Sequence, residues 1–192
     1  MTTRLVAHLL VLLALTTGCT ALPGNPAPTT PDDPETSRLP TRPRDIPVDE
    51  IEPCDLLTAD QLMQLEVSHG APTNSHVNPS RSVCQWGRFP DEPQDFYLMT
   101  VDTGRGAAYA LGSVTGGRIV DVAGYAAVET RVGSSPEDRH CVLLVDVAAG
   151  QNLWVQYDYT GKTVPITKQL ACQKAHTAAE MAVQTLRERT GR

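Results

Sequence analysis

Aromatic side chains and clusters of basic residues are both scarce in this chain, and each scarcity excludes a class of ligand. Only nine of the 192 residues are Trp, Tyr or Phe, so a large apolar pocket for a small molecule is not expected. The 16 Lys and Arg residues are scattered, whereas nucleic acids and anionic lipid headgroups require a concentrated basic surface. The sequence therefore predicts no nucleic-acid partner.

Motifs of catalysis are missing as well. The residue types of a hydrolase triad occur together only within one predicted loop: Ser134, Ser135, Asp138 and His140. Triad residues normally converge from separate loops, with the nucleophile on a constrained Gly-x-Ser-x-Gly turn that this chain lacks. We expect no catalytic residue among them.

A zinc site is also disfavoured, although cysteines and histidines occur at suggestive spacing. Cys172 and His176 lie one helical turn apart, and His140 adjoins Cys141. Strand alternation points His140 away from Cys141. In an oxidising compartment the cysteines form disulfides, so their thiolates are not available to bind zinc. We therefore expect neither a metal nor another cofactor.

No hydrophobic run is long enough to span a membrane as a helix. The run at residues 5–15 has eleven residues, whereas a spanning helix requires roughly 20. It follows Arg4 and precedes a small residue and Cys19, as in a lipoprotein signal peptide, although Thr16 stands where Leu or Val is usual. We predict removal of residues 1–18 and attachment of a lipid to Cys19, on the extracytoplasmic face of the cell membrane. Plain secretion is the alternative.

A proline-rich segment follows the signal peptide. Residues 20–53 contain nine prolines and almost no large apolar side chains, so they bury too little surface to offset the entropy of ordering. Residues 19–52 are therefore predicted to form a disordered, partly extended tether.

Residues 53–190 have the length of a single domain with one core. A Thr-x-x-Gln capping box at Thr58 predicts a short helix over 59–66, and alanines stepping by three and four predict a long helix over 168–189. Alternating apolar residues predict strands in these ranges: 83–89, 96–102, 118–122, 125–132, 141–147 and 153–159. The expected fold is α+β: a mostly antiparallel sheet of five to six strands with the long C-terminal helix packed on one face.

The cysteines predict two disulfides. Five are present, and reserving Cys19 for lipid leaves an even number in an exported protein. Three pairings are possible, and strand geometry favours one of them. Cys141 lies on the apolar strand face that the helix carrying Cys172 should cover, which favours the pairs Cys54–Cys84 and Cys141–Cys172. Both bonds are interpreted as structural.

Short motifs recur along the mature chain in a characteristic order. They are Cys19, the proline-rich spacer, the run from Pro53 to Thr58 that opens a helix, Cys84 with Trp86, Cys141 at the start of a strand, and Cys172 in an Ala-rich helix. In this order the chain resembles the domain of unknown function 3558 family of actinobacterial lipoproteins. The resemblance implies a membrane-anchored extracytoplasmic protein with two disulfides in an α+β domain. It implies no chemistry, because the family has no settled activity.

One strand supplies a candidate interaction surface. If Leu153 and its alternating neighbours face the core, then Trp154, Gln156 and Asp158 line the opposite sheet face. Burial of Trp154 beneath the glycine-rich segment at residues 104–117 is the alternative.

Three functions are compatible with these features. The preferred hypothesis is a non-catalytic, membrane-tethered module that binds an envelope protein or glycan. The first alternative is an envelope hydrolase that uses dispersed acids such as Asp102 and Glu129. The second is a carrier of a small ligand, which requires a cavity.

Overall fold

One antiparallel sheet organises the domain in the computed structural model, which describes residues 38–74, 82–87, 95–113, 117–130, 139–161 and 166–191. Within these ranges seven strands are ordered β1-β2-β3-β7-β6-β5-β4. Their bounds are β1 Ala71–Asn74, β2 Ser82–Gly87, β3 Asp95–Asp102, β4 Arg118–Val122, β5 Tyr125–Thr130, β6 His140–Ala148 and β7 Gln151–Tyr159. The predicted α+β class is confirmed, with seven strands in place of five to six.

Three helices accompany the sheet in the described residues: α1 Ala59–Gln64, α2 Tyr109–Ser113 and α3 Lys168–Thr190. The predicted capping box starts α1, because the Thr58 hydroxyl accepts from the Gln61 backbone N–H and the Gln61 side chain accepts from the Thr58 N–H. Thr167 caps α3 through the backbone N–H of Leu170. None of these helices is long and apolar enough to cross a membrane.

The long helix α3 covers one side of the sheet, here called the helix face. Five alanines of α3 are fully buried, and their small side chains let the helix backbone approach the strands: Ala171, Ala175, Ala178, Ala179 and Ala182. Opposite them lie the inward side chains of β6, including Leu143 and Val145. The Cys141–Cys172 disulfide joins β6 to α3 with a Cα–Cα distance of 4.9 Å. This is the predicted pairing, on the predicted face.

The second disulfide, Cys54–Cys84, joins the turn Pro53–Asp55 to β2, again as predicted. Trp86 is fully buried beside it. A Cβ atom at Gly70 would lie 2.5 Å from both Cys84 Sγ and Trp86 Nε1. Only glycine therefore fits where the chain passes over the bond.

The other side of the sheet, here called the opposite face, has a smaller apolar cluster. Its buried members are Leu39, Ala107, Ala108, Ala110, Ala126, Val128, Val142 and Leu144. The residues that cover the sheet here come from α2 and the loop before it, and most are alanines. This cover is thinner than α3.

Residues 38–52, here called the strap, correct the predicted domain boundary at residue 53. Leu39 belongs to the opposite-face cluster, whereas Ile46 and Val48 are fully buried in the helix-face cluster. The strap passes between the faces beside the β6–β7 turn, where the Ile46 N–H donates to the Val147 carbonyl at 2.7 Å. These residues pack on the domain and are not a disordered tether. The predicted signal peptide, Cys19 and the rest of the predicted tether lie outside the described residues.

Candidate functional site

The candidate surface of β7 lies where strand alternation placed it. Leu153, Val155 and Tyr157 are buried in the helix-face cluster. Trp154, Gln156 and Asp158 alternate with them and are half-buried on the opposite face. The alternation is therefore confirmed, and the three side chains share one surface.

Trp154 is partly covered and partly accessible, so it matches neither alternative from the sequence alone, exposure on an interaction surface or burial beneath residues 104–117. Its side chain packs against the opposite-face cluster, whose cover includes Ala107, Ala108 and Ala110 of the glycine-rich segment. The residue nevertheless remains half-buried, so part of it stays accessible. Trp154 thus lies at the border between the covered part of this face and the part beyond it.

Neighbouring strands add four half-buried side chains to this surface. Gln85 of β2 lies opposite Leu98 of β3, and Leu98 lies opposite Gln156. In the next row, Asp158 lies between Phe96 of β3 and His140 of β6. We call this set of seven residues the mixed face: Gln85, Phe96, Leu98, His140, Trp154, Gln156 and Asp158.

The two ionisable groups of the mixed face are adjacent. Burial raises the pKa of the Asp158 carboxyl above its usual range, while the hydrogen bond from Gln156 and the charge of His140 oppose this rise. The His140 Nε2 atom is buried and has no hydrogen-bond partner among the described residues.

The carboxylates of the hydrolase alternative, Asp102 and Glu129, do not converge. Asp102 lies on the opposite face, where it accepts from the Gly104 N–H at 2.8 Å. Glu129 lies on the helix face and accepts two hydrogen bonds from Arg118, each of 2.9 Å. Acid–base pairs act on one substrate from one cleft, so these two acids do not form such a pair.

Only one of the four residues with the types of a hydrolase triad lies in the described part of the chain. His140 belongs to the mixed face, whereas Ser134, Ser135 and Asp138 lie outside the described residues.

One cluster has the composition of a metal site. Ligand atoms of Glu129, Cys141 and Cys172 lie within 4.8 Å of one another. Both sulfurs are joined to each other in the disulfide, and metal binding requires thiolates. His176 does not join them, because its Nε2 atom lies 2.6 Å from the Asp121 carbonyl oxygen. In the oxidised protein this cluster is structural.

A cleft of about 720 Å³ lies along the solvent-facing side of α3. Most of its lining residues are polar or charged, including Arg44, Gln64, Glu180, Gln184 and Arg187, and Ala123 and Met181 add apolar surface. The small-ligand carrier hypothesis requires a mostly apolar cavity, which this cleft is not.

The sequence identified three of the seven residues of the mixed face. Phe96 and Leu98 were detectable, because they alternate along the predicted strand just as Trp154 and Gln156 do. The sequence offers His140 only as a residue of a hydrolase triad or of a zinc site. Its position beside Asp158 depends on the register of β6 with β7, which no local pattern specifies.

Comparison with known proteins assigns the chain to a family but indicates no activity. A family model described as a protein of unknown function (DUF3558) matches residues 14–185, which is most of the chain. The chain therefore belongs to this family. No curated protein and no solved structure matches it.

Proposed function

We propose that this member of the DUF3558 family is a membrane-anchored extracytoplasmic lipoprotein whose domain binds an envelope component without catalysing a reaction. Three features of the sequence support the location: the signal-like residues 1–18, Cys19 directly after them, and four further cysteines. The two disulfides are consistent with an oxidising compartment.

The mixed face is the observation that carries the binding role. It combines aromatic, amide and ionisable side chains, all half-buried, on a sheet supported from behind by α3 and a disulfide. Such a rigid support keeps the side chains in a fixed arrangement, which lowers the entropic cost of binding. The divergence of Asp102 and Glu129 favours binding over hydrolysis.

The segment before the strap sets how far the domain can reach from the membrane. Eighteen residues, 20–37, separate Cys19 from Arg38, where the described domain begins. They span about 60 Å in polyproline geometry and about 25 Å as a flexible coil. The described chain begins beside α2, since Arg38 lies next to Gly112. Leu39 packs in the same opposite-face cluster as Trp154, so the strap begins on the side of the sheet that carries the mixed face.

Replacing the lipid-acceptor residue tests the anchor. Cys19→Ser is expected to abolish incorporation of a metabolic lipid label and to move the protein from the membrane fraction to the soluble fraction. Retention of both label and membrane association in this variant would contradict the anchor.

Site-specific crosslinking tests the binding role. A photoreactive amino acid at Leu98, within the mixed face, is expected to capture one reproducible partner in living cells. The same amino acid at Met63, which is 70% exposed on α1, is the control and is expected to capture none. Capture from Leu98 should disappear in the Trp154→Ala background. Equal capture from both positions would contradict a specific surface.

Catalysis by an envelope hydrolase remains the second candidate, and one observation favours it. His140, whose buried Nε2 has no partner within the described part of the chain, lies opposite Asp158, and the two have the residue types of an acid–base pair. A hydrolytic activity of the purified domain that is lost in His140→Ala would replace the binding proposal.

A further inference from the structure

We propose that the ligand of the mixed face is a neutral, linear glycan. This inference rests on the proposed binding function and names the chemical class of the partner.

The spacing of the two aromatic residues supports an extended ligand. Thr100 lies opposite Trp154, and Phe96 lies four residues from Thr100 on the same strand. At about 3.4 Å per residue along a strand and about 4.8 Å between strands, Trp154 and Phe96 lie about 14 Å apart. A short oligosaccharide has this length. Aromatic rings carry negative π faces, which attract the C–H groups on the flat side of a sugar ring.

Hydrogen-bonding groups accompany the two aromatic residues: Gln156 lies between their rows, Gln85 lies in the row of Gln156 on β2, and Asp158 lies opposite Phe96. Gln85 offers an amide with two donors and one acceptor oxygen, and Gln156, which already donates one N–H to the Asp158 carboxyl, keeps its second donor and its oxygen. Sugar hydroxyls both donate and accept, so they match these groups. A purely apolar ligand would leave the same groups desolvated and unpaired, which is costly.

The charge of the surface favours a neutral ligand. The mixed face contains no Lys or Arg, and its only ionisable groups are Asp158 and His140, which face each other across β7 and β6. The described sheet residues directly opposite it, or two residues along the same strand, are uncharged: Ala71, Val83, Gly87, Thr100, Val142, Leu144 and Asn152. Among the described residues of this face, an anionic polymer would find only His140, which already lies beside Asp158, and a cationic one would find a single carboxyl.

The size of the surface favours a glycan over a protein. A stable protein interface contains roughly 20–30 residues a side, whereas the mixed face has seven, all half-buried. One linear chain along two strands uses a surface of this size fully.

Titration of the purified domain with an array of neutral di- to hexasaccharides tests the proposal. At least one is expected to bind, with affinity reduced about tenfold in Gln156→Ala, the loss expected for one hydrogen-bonding side chain. Trp154→Ala should weaken binding further. Gln173→Ala removes the same amide from an exposed position on α3 and should leave binding unchanged. Thermal unfolding of each variant separates loss of binding from loss of folding, and Gln156→Ala serves if Trp154→Ala does not fold.

Three outcomes would contradict the proposal that the ligand is a neutral glycan. They are no binding to any neutral oligosaccharide, preferential binding to charged glycans, and equal effects of Gln156→Ala and Gln173→Ala. The crosslinking experiment distinguishes this failure from failure of the proposed function. If Leu98 captures a protein while no glycan binds, the surface is a protein-binding site and the binding module stands. If neither is found, both proposals fall.

Discussion

The two faces of the sheet are built from the same seven strands but are covered in different ways. The helix face packs against a 23-residue helix, is joined to its cover by a disulfide, and buries the largest side chains of the core. In the described part of the chain, the opposite face is covered over only part of its area, by a five-residue helix, a loop rich in alanine and Leu39 of the strap, and it has no disulfide. Stability is concentrated on one face, so the other is free to carry polar groups such as Asp158 that reduce stability.

Adjacent leucines of β6 offer the most direct test of this difference, with the largest expected effect. Leu143 points to the helix face and Leu144 to the opposite face, and both are at most 2% exposed. Leu143→Ala is expected to lower the free energy of unfolding by about 4–5 kcal/mol, because the disulfide prevents α3 from collapsing into the cavity. Leu144→Ala is expected to cost about 2–3 kcal/mol, because the thin cover can relax. Urea unfolding of the two variants measures both values, and equal costs would contradict the contrast.

Removal of either disulfide is expected to have the next largest effect on the free energy of unfolding. The two bonds close loops of similar sequence separation, 31 and 30 residues, so chain entropy predicts about 3–4 kcal/mol for each. The double replacement of Cys141 and Cys172 by Ala should also increase amide hydrogen exchange in α3, because the helix loses its covalent joint. The matched control replaces Cys54 and Cys84 and should leave α3 protected. Faster exchange in residues 104–113 after the first replacement would show that the two faces are coupled.

Two buried carboxylates, one on each face, differ in the exposure of their arginine partners. Asp146 on the opposite face pairs with Arg42 of the strap, whose side chain is 12% exposed, whereas Glu129 pairs with Arg118, which is 68% exposed. Arg42→Met leaves a buried charge without its partner and is expected to cost about 3 kcal/mol. Arg118→Met is expected to cost less, about 1 kcal/mol, because the exposed guanidinium makes its bonds to Glu129 at a position that water can reach. Similar costs in urea unfolding would show that strap burial does not strengthen the pair.

The smallest effect concerns pH and the mixed face. Burial raises the pKa of Asp158 above its unfolded value, so the folded protein holds this proton more tightly than the unfolded chain does. Stability from this group is therefore fully present below the ordinary carboxyl pKa of about 4 and is lost as the pH rises through the folded pKa. Asp158→Asn cannot titrate, so it should gain stability relative to the natural protein as the pH rises above about 4. Parallel stability curves for the two proteins would show that Asp158 is effectively hydrated.

Local patterns predicted most elements, and the failures have physical causes. The capping box at Thr58 and the alternation along β6 and β7 act over a few residues, and both were read correctly. Strand β1 was missed because Pro72 is a turn residue by propensity; at the sheet edge, the missing N–H of proline is tolerated. Helix α2 is a five-residue element in a glycine-rich segment, too short for a helical period.

The strap was missed for a different reason. Its prolines are typical of a tether, and they outweighed the alternation of Ile46 and Val48, which is the pattern of a chain with one buried side. The mixed face was identified in part for a related reason. Alternation assigns a residue to a face, whereas the neighbours of Asp158 depend on pairing between strands distant in sequence.

The position of the strap has a mechanical consequence. A force applied through the residues before Arg38 reaches first Leu39 and Arg42, and then the hydrogen bond between Ile46 and Val147 on a central strand. If these contacts peel away, extension stops at Cys54, which is bonded to β2. The sixteen residues 38–53 would add about 55 Å of chain before any strand is pulled from the sheet. The strap can thus detach and extend under force while the rest of the domain stays folded.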